Sequence, residues 1–83
     1  MIKLYQYENC PYCRLVRAKF EALQIPYEAI EVSSDPSDPQ RAEVIAQSGT
    51  RTVPVIHDAE AGIWMGESAD IVAYLERLAA RAS

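Results

Sequence analysis

The spacing of apolar and polar positions changes along the chain and predicts alternating strands and helices. Residues 2–7 are rich in β-branched and aromatic side chains and end at polar Glu8–Asn9, which predicts a first strand. From Pro11 to about Gln24 the period becomes helical, and Pro26 ends this first helix. Its recurring apolar positions are Val16, Phe20 and Leu23. Residues 27–32 alternate again and predict a second strand.

A second helix follows a turn-rich loop at residues 33–37. Asp38–Pro39 is a helix cap followed by proline, and the helix is expected to run to about Gln47. Its apolar members are Ala42, Val44, Ile45 and Ala46. Gly49 supplies the left-handed residue that ends it.

The last third of the chain predicts a hairpin and a helix. Thr52–His57 reads as a third strand with Pro54 at its entrance, where a ladder N–H can be spared. Residues 58–62 form a turn before a short fourth strand, Ile63–Met65, and the last helix starts at Glu67–Ser68. The expected buried stripe of this helix is Ile71, Val72, Leu75, Leu78 and Ala79.

The element order is therefore βαβ, helix, β-hairpin, helix. Parallel strands one and two require the first helix as a right-handed crossover. We expect an α/β fold in which a four-stranded mixed sheet is covered by three helices. No repeat or internal boundary interrupts residues 1–83, so a single domain is expected.

Composition narrows the class of protein. Eighty-three residues with 49% hydrophobic content suit one small domain, and a net charge of −4 argues against nucleic acid or an anionic membrane as partner. Charges at Lys3 and Glu8, and the lack of a long apolar run, argue against a signal peptide or a membrane span. Together with two closely spaced cysteines, these features favour a cytoplasmic protein.

The residue types that carry chemistry are the thiols of Cys10-Pro11-Tyr12-Cys13, between the first strand and the first helix. A helix N-terminus has unpaired N–H groups and partial positive charge, so it favours a thiolate. Cys10 at the cap is the expected nucleophile, and Cys13 lies one turn further on the same face.

Two other uses of the dithiol remain open at this point. Zinc needs about four ligands, and the chain offers only His57 and scattered carboxylates besides the thiols, so no metal is expected. A structural disulfide would close so small a loop that its stabilisation would be modest.

These motifs resemble a glutaredoxin over nearly the whole chain. The dithiol follows strand one, Thr52-Val53-Pro54 precedes strand three, and Gly66 precedes the last helix, all in the family's order. The resemblance implies a thioredoxin-like fold and a glutathione-dependent thiol-disulfide oxidoreductase. Its co-substrate would be glutathione, and its partners would be disulfide-containing or glutathionylated proteins. We expect such a protein to act as a monomer.

The resemblance also implies roles for individual residues. Cys10 would take glutathione from a mixed disulfide, and Cys13 would resolve protein disulfides, the alternative being a buried thiol that only hydrogen-bonds Cys10. A cis bond at Val53–Pro54 would present the Val53 backbone to the cysteinyl part of glutathione. The N–H groups at the start of the last helix would receive its γ-glutamyl carboxylate. The expected glutathione contacts are Tyr12, Val53, Pro54, Glu67, Ser68, Ala69 and Asp70.

Two positions depart from the glutaredoxin pattern. Many glutaredoxins carry a lysine or arginine shortly before the first cysteine, whereas this chain has Glu8. We therefore expect a less depressed Cys10 pKa, with Arg14, Arg51 or Gln47 as possible substitutes for the missing base. Ala69 likewise stands where many glutaredoxins have a carboxylate.

A second resemblance overlaps the first. Residues 13–17, 24–28 and 66–71 are similar to the glutathione-binding N-terminal domain of glutathione S-transferases. The alternative function is a stand-alone domain of that type, which binds glutathione for transfer or as a module without turnover. A glutathione-bridged iron–sulfur cluster is disfavoured by the proline after Cys10.

Overall fold

The computed structural model describes residues 1–82 and contains four strands and three helices in the predicted order. In chain order they are β1 (Ile2–Gln6), α1 (Pro11–Ala22), β2 (Tyr27–Glu31), α2 (Pro39–Ser48), β3 (Val55–Asp58), β4 (Ile63–Met65) and α3 (Ser68–Ala82). None of the helices in this part of the chain is both long enough and apolar enough to cross a bilayer.

The strands form one mixed sheet in the order β2-β1-β3-β4. β1 runs parallel to β2 and antiparallel to β3, and β3 is antiparallel to β4. Because Tyr5 near the end of β1 pairs with Val55 at the start of β3, the segments after β1 and before β3 lie at the same end of the sheet. The pairing therefore brings the dithiol loop and Val53–Pro54 to the same end of the sheet.

Each face of the sheet buries its own apolar cluster, because successive strand residues point to opposite sides. The cluster beneath α1 and α3 consists of Ile2, Leu4, Val16, Phe20, Ile56, Ile71, Tyr74 and Leu75. The cluster beneath α2 consists of Tyr5, Val32, Val44 and Val55. The result is a three-layer α/β/α arrangement, which confirms the predicted thioredoxin-like fold.

Two of the element boundaries that differ from the predictions have clear local reasons. Gln24 has a positive φ of 56°, which ends α1 before the predicted residue. Thr52 was predicted to open β3, but its N–H and hydroxyl bond the Thr50 side chain instead, at 3.3 and 2.9 Å. These local bonds replace ladder pairing, so β3 begins at Val55 and extends to Asp58.

The buried stripe of α3 includes a residue that the apolar pattern missed. Tyr74 is buried, whereas Val72, predicted to be buried, is only half-buried. The Tyr74 hydroxyl donates a 2.6 Å hydrogen bond to Asp58. Burial and this carboxylate raise the pKa of Tyr74 to about 12. The pair ties α3 to the end of β3.

The caps of α2 match the sequence signals. The Asp38 side chain accepts the Arg41 N–H at 3.1 Å, and Gly49 adopts the left-handed conformation with φ of 76°. Val44 is buried as expected, but the other fully covered side chain of α2 is Arg41 rather than one of the predicted alanines. A cation thus occupies part of the layer beneath the helix.

Candidate active site

Cys10 is the N-cap residue of α1, and its sulfur takes the place of a capping oxygen. Its backbone is extended, with φ −88° and ψ 123°, and Pro11 follows as the first helical residue. The Cys10 Sγ accepts the Cys13 N–H at 3.4 Å, while the Cys10 carbonyl accepts the Arg14 N–H at 2.9 Å. The predicted orientation of the sulfur toward the first helical amides is confirmed.

The surroundings of Cys10 favour the thiolate. Burial acts to raise the pKa of Cys10, but the net shift is below the ordinary value. The pKa is lowered by hydrogen bonds from the Cys13 thiol and from the Cys13 and Tyr12 amides, and by the charge of Arg17. A thiolate is the form that attacks disulfides and electrophiles. Cys10 is half-buried and so can meet a substrate.

Cys13 has the opposite character. It is completely buried, and burial together with the adjacent Cys10 raises its pKa to about 12, against a hydrogen bond from the Tyr7 N–H. Both cysteines are free thiols in this structure. The pair therefore combines one thiol of lowered pKa with one that holds its proton tightly, an arrangement that serves either a resolving or a hydrogen-bonding role for Cys13.

Arg17 supplies the positive charge whose source the sequence left open. Its guanidinium donates to the Gln6 side-chain oxygen and, at 3.2 Å, to the Glu8 carbonyl oxygen. The substitutes considered from the sequence, Arg14, Arg51 and Gln47, are all exposed. Arg17 lies four residues after Cys13, on the same helical face; that spacing is the signal that would have identified it.

Replacing Arg17 with methionine is expected to raise the Cys10 pKa, because a nearby cation favours the thiolate. Alkylation of Cys10 by iodoacetamide, followed against pH, should then slow by about threefold at pH 7. Arg14→Met is the matched control, since Arg14 is exposed on the same helix. Equal alkylation profiles for wild type and Arg17→Met would contradict the assignment.

A groove of about 380 Å³ lies beside the dithiol. It is lined by Tyr12, Thr52, Val53, Pro54, Gly66, Glu67 and Ser68. The Val53–Pro54 bond is cis, as the resemblance implied. Ser68 begins α3, so the unpaired N–H groups of a long helix lie at the end of the groove.

The groove brings together five of the seven residues expected to contact glutathione. These are Tyr12, Val53, Pro54, Glu67 and Ser68. Ala69 and Asp70 follow in the first turn of α3, where both side chains are exposed. Asp70 is the acidic residue of that turn. Thr52 and Gly66 also line the groove, although the expected contacts did not include them.

Gly66 is in close contact with the segment that leads to the cis proline. A Cβ at this position would approach Thr50 Cγ2 far more closely than van der Waals contact allows. Rotation of Thr50 away from this contact would break the 2.9 Å hydrogen bond between its hydroxyl and that of Thr52. The absence of a side chain at Gly66 is therefore required by packing.

Gly66→Ala is expected to lower the free energy of unfolding by about 1–3 kcal/mol, the usual cost of overpacking. Thr50→Ser removes the methyl group that would clash and keeps the hydroxyl, so the double variant should recover most of the loss. Chemical denaturation of wild type, both single variants and the double variant measures this. An equal effect of Gly66→Ala in both backgrounds would show that Thr50 is not the obstacle.

The described residues do not assemble a metal site. Within residues 1–82 there is no group of three or more His, Cys, Asp or Glu side chains placed to hold an ion. His57 instead stacks on Trp64, with ring centroids 4.0 Å apart. The functional groups of the candidate site are therefore the two thiols and the residues that line the groove.

Comparisons with known proteins agree with this geometry. A model of the glutathione S-transferase N-terminal domain matches residues 4–83. Glutaredoxin 2 of Escherichia coli K12 is 35% identical over 78 residues, which are 93% of this chain and 34% of that protein. The chain thus spans about a third of the length of this curated relative.

Solved structures give the same fold. Glutaredoxin 2 from Salmonella typhimurium, determined in complex with glutathione, aligns with a TM-score of 0.78 and 29% identity, covering 94% of this chain and 34% of that one. A diazinon-metabolizing glutathione S-transferase of the silkworm Bombyx mori aligns with a TM-score of 0.82 and 24% identity, covering 100% and 40%. The second likeness concerns the fold alone.

Proposed function

Because the chain belongs to the family of glutathione S-transferase N-terminal domains, we propose that it binds glutathione in the groove beside Cys10 and catalyses thiol–disulfide exchange there. The Salmonella relative, solved with glutathione, supports the ligand. The cysteinyl backbone of glutathione pairs with Val53 as an added strand. Its γ-glutamyl carboxylate meets the N–H groups of Ser68 and Ala69, and Glu67 or Asp70 meets its ammonium group.

The single observation that carries the chemistry is the position of the Cys10 sulfur, which caps α1 beside this groove, where its pKa is lowered. In the first step the Cys10 thiolate attacks the glutathione sulfur of a mixed disulfide, a Cys10–glutathione disulfide forms, and the substrate leaves as a thiolate. In the second step a free glutathione thiolate attacks the bound glutathione sulfur. Glutathione disulfide forms, and Cys10 leaves as a thiolate.

The lowered pKa assists departure more than attack. A thiol of pKa about 8.5 is only about 3% ionised at pH 7, so a lower pKa increases the thiolate fraction. Nucleophilicity falls with a Brønsted slope of about 0.4–0.5, which offsets much of that gain. A low-pKa thiolate is nevertheless a good leaving group, which suits Cys10 to the second step.

Protein disulfides follow a related route that uses both thiols. Cys10 forms a mixed disulfide with the protein, and the Cys13 sulfur then attacks Cys10, releasing the reduced protein and closing a Cys10–Cys13 disulfide. The first attack frees the second protein sulfur as a thiolate, and this thiolate takes the Cys13 proton before Cys13 attacks Cys10. In the mixed disulfide Cys10 carries no charge, so one cause of the raised Cys13 pKa is also removed. Two glutathione molecules then reduce the internal disulfide and leave as glutathione disulfide.

The same family supports a second candidate, a transferase-type domain that presents glutathione to an electrophile or binds it without turnover. Two parallel assays of the wild-type protein separate these functions. One measures glutathione-dependent reduction of a small glutathione mixed disulfide, and the other measures conjugation of glutathione to an electrophilic aromatic compound. We expect turnover in the first, and a high rate only in the second would overturn the proposal.

The proposed setting follows from the chemistry. Free thiols and a pool of reduced glutathione belong to a reducing compartment such as the cytoplasm. Residues 1–83 would act there as one domain and as a monomer, on glutathionylated or disulfide-containing proteins. Analytical ultracentrifugation of the purified protein tests this oligomeric state. We expect the mass of one chain at every protein concentration.

A further inference from the structure

Arg41 is a buried cation with no counter-ion among residues 1–82. It lies near the start of α2 and is 3% exposed. In the part of the chain that the structure describes, its guanidinium forms no ion pair, and Nη1 is buried without a hydrogen-bond partner. Burial of a charge without a partner is costly, so the contacts that this side chain does make must explain its position.

Those contacts reach two different segments. Arg41 Nη2 donates to the Arg51 carbonyl oxygen, and the guanidinium carbon lies 5.7 Å from the centroid of the Tyr7 ring. One group thus bridges the loop that precedes β3 and the segment that follows β1. A planar guanidinium can donate along its edge while its face meets an aromatic ring.

Both segments carry parts of the proposed glutathione site. The Tyr7 carbonyl accepts the Cys10 N–H at 3.3 Å, and the Tyr7 N–H hydrogen-bonds the Cys13 thiol. Arg51 precedes Thr52 and Val53, which form a wall of the groove. Contacts therefore connect the thiols through Tyr7 and Arg41 to Arg51, from which the backbone continues to Thr52 and Val53 in the groove.

We propose that Arg41 is a positioning residue that fixes the spacing between the dithiol and the Val53 wall. Glutathione must reach both at once, with its sulfur at Cys10 and its backbone at Val53, so a loosened wall weakens binding without changing the thiols. The inference rests on the proposed glutathione site. Because an unpaired buried charge is itself costly, removing it should not lower stability, so binding and stability should respond differently to its removal.

The test uses Arg41→Met, which removes the charge and both contacts, and Arg77→Met as the matched change at an exposed arginine of α3. Arg41→Met is expected to raise the glutathione dissociation constant by about tenfold, the scale of a small misplacement of binding groups. The apparent KM for glutathione should rise in parallel while kcat at saturation stays within twofold. The denaturation midpoint should not fall, and Arg77→Met should bind normally.

A second variant locates the contact that matters. Tyr7→Ala removes the ring beneath Arg41 but keeps the backbone bonds to the cysteines, so its effect and that of Arg41→Met should be less than additive. If Arg41→Met does not fold, Arg41→Lys is used instead, because it keeps the charge but lacks the planar guanidinium. A glutathione dissociation constant at least threefold above that of wild type would then support the proposal.

The outcomes separate the inference from the function on which it rests. Suppose that the wild-type protein binds glutathione and that Arg41→Met binds it with an affinity within twofold of wild type. This result overturns only the role of Arg41, and the same holds for Arg41→Lys if Arg41→Met does not fold. Additive effects of Arg41→Met and Tyr7→Ala also overturn it. If the wild-type protein does not bind glutathione at all, the proposed function fails and this inference fails with it.

Discussion

Replacing Cys10 with serine is expected to slow glutathione-dependent reduction of a mixed disulfide by at least about a thousandfold. A serine hydroxyl neither ionises near neutral pH nor exchanges with a disulfide, so no enzyme–glutathione intermediate can form. Cys13 cannot take over, because it is completely buried and its pKa is about 12. Steady-state turnover, with mass spectrometry of the trapped intermediate, measures the loss.

The choice of serine excludes a trivial explanation. Serine is among the best N-cap residues, so α1 should remain capped at a position where the Cys10 sulfur now accepts the Cys13 N–H. Cys10→Ala, which lacks both cap and nucleophile, is the matched control. Activity of Cys10→Ser near the wild-type level would refute Cys10 as the nucleophile, whereas a lower unfolding free energy only in Cys10→Ala would confirm the capping role.

Replacing Cys13 with serine is expected to separate the two proposed reactions. Reduction of a glutathione mixed disulfide needs only Cys10 and should stay within about threefold of wild type, while reduction of a protein disulfide should fall by about a hundredfold. The serine hydroxyl can still donate to Cys10, as the Cys13 thiol does in lowering the Cys10 pKa. Parallel assays with the two substrates measure the split.

Cys13→Ala sharpens this test because it removes the donor as well as the sulfur. The Cys10 pKa should then be higher than in Cys13→Ser, and alkylation at neutral pH should be slower. Loss of both activities in Cys13→Ser would contradict the division of labour. Retention of both would reduce Cys13 to a hydrogen-bonding thiol.

Much of the fold follows from local signals in the sequence. Asp38 and Gly49 mark the ends of α2 through a side-chain cap and a positive φ, which depend on those residue types alone. The position of Thr52 shows where such signals fail. Its β-branched side chain favours a strand, yet local hydrogen bonds to Thr50 compete with ladder pairing and keep Thr52 out of β3.

The parts of the site that depend on spacing along the chain could be predicted from the sequence, whereas the parts that depend on tertiary contacts could not. The place of Cys10 at a helix start follows from the sequence around it, and the cis Val53–Pro54 bond follows from the family resemblance. Arg17 and Arg41 were not identified, because a charged residue on a helix is usually solvated. The spacing of four residues from Cys13 places Arg17 on the same helical face as the thiols, whereas only the assembled fold shows that Arg41 is buried.

The sulfur cap on α1 links the oxidation state of the protein to the integrity of one helix. Because folding lowers the Cys10 pKa, the ionised thiol stabilises the reduced fold at pH values above its unfolded pKa, and that contribution is lost as the pH falls through the lowered value. A disulfide at Cys10 carries no charge for the helix dipole to stabilise. By a thermodynamic cycle, the same free energy makes the dithiol a stronger oxidant. Fraying of the first turn of α1 would therefore shift the reduction potential downward.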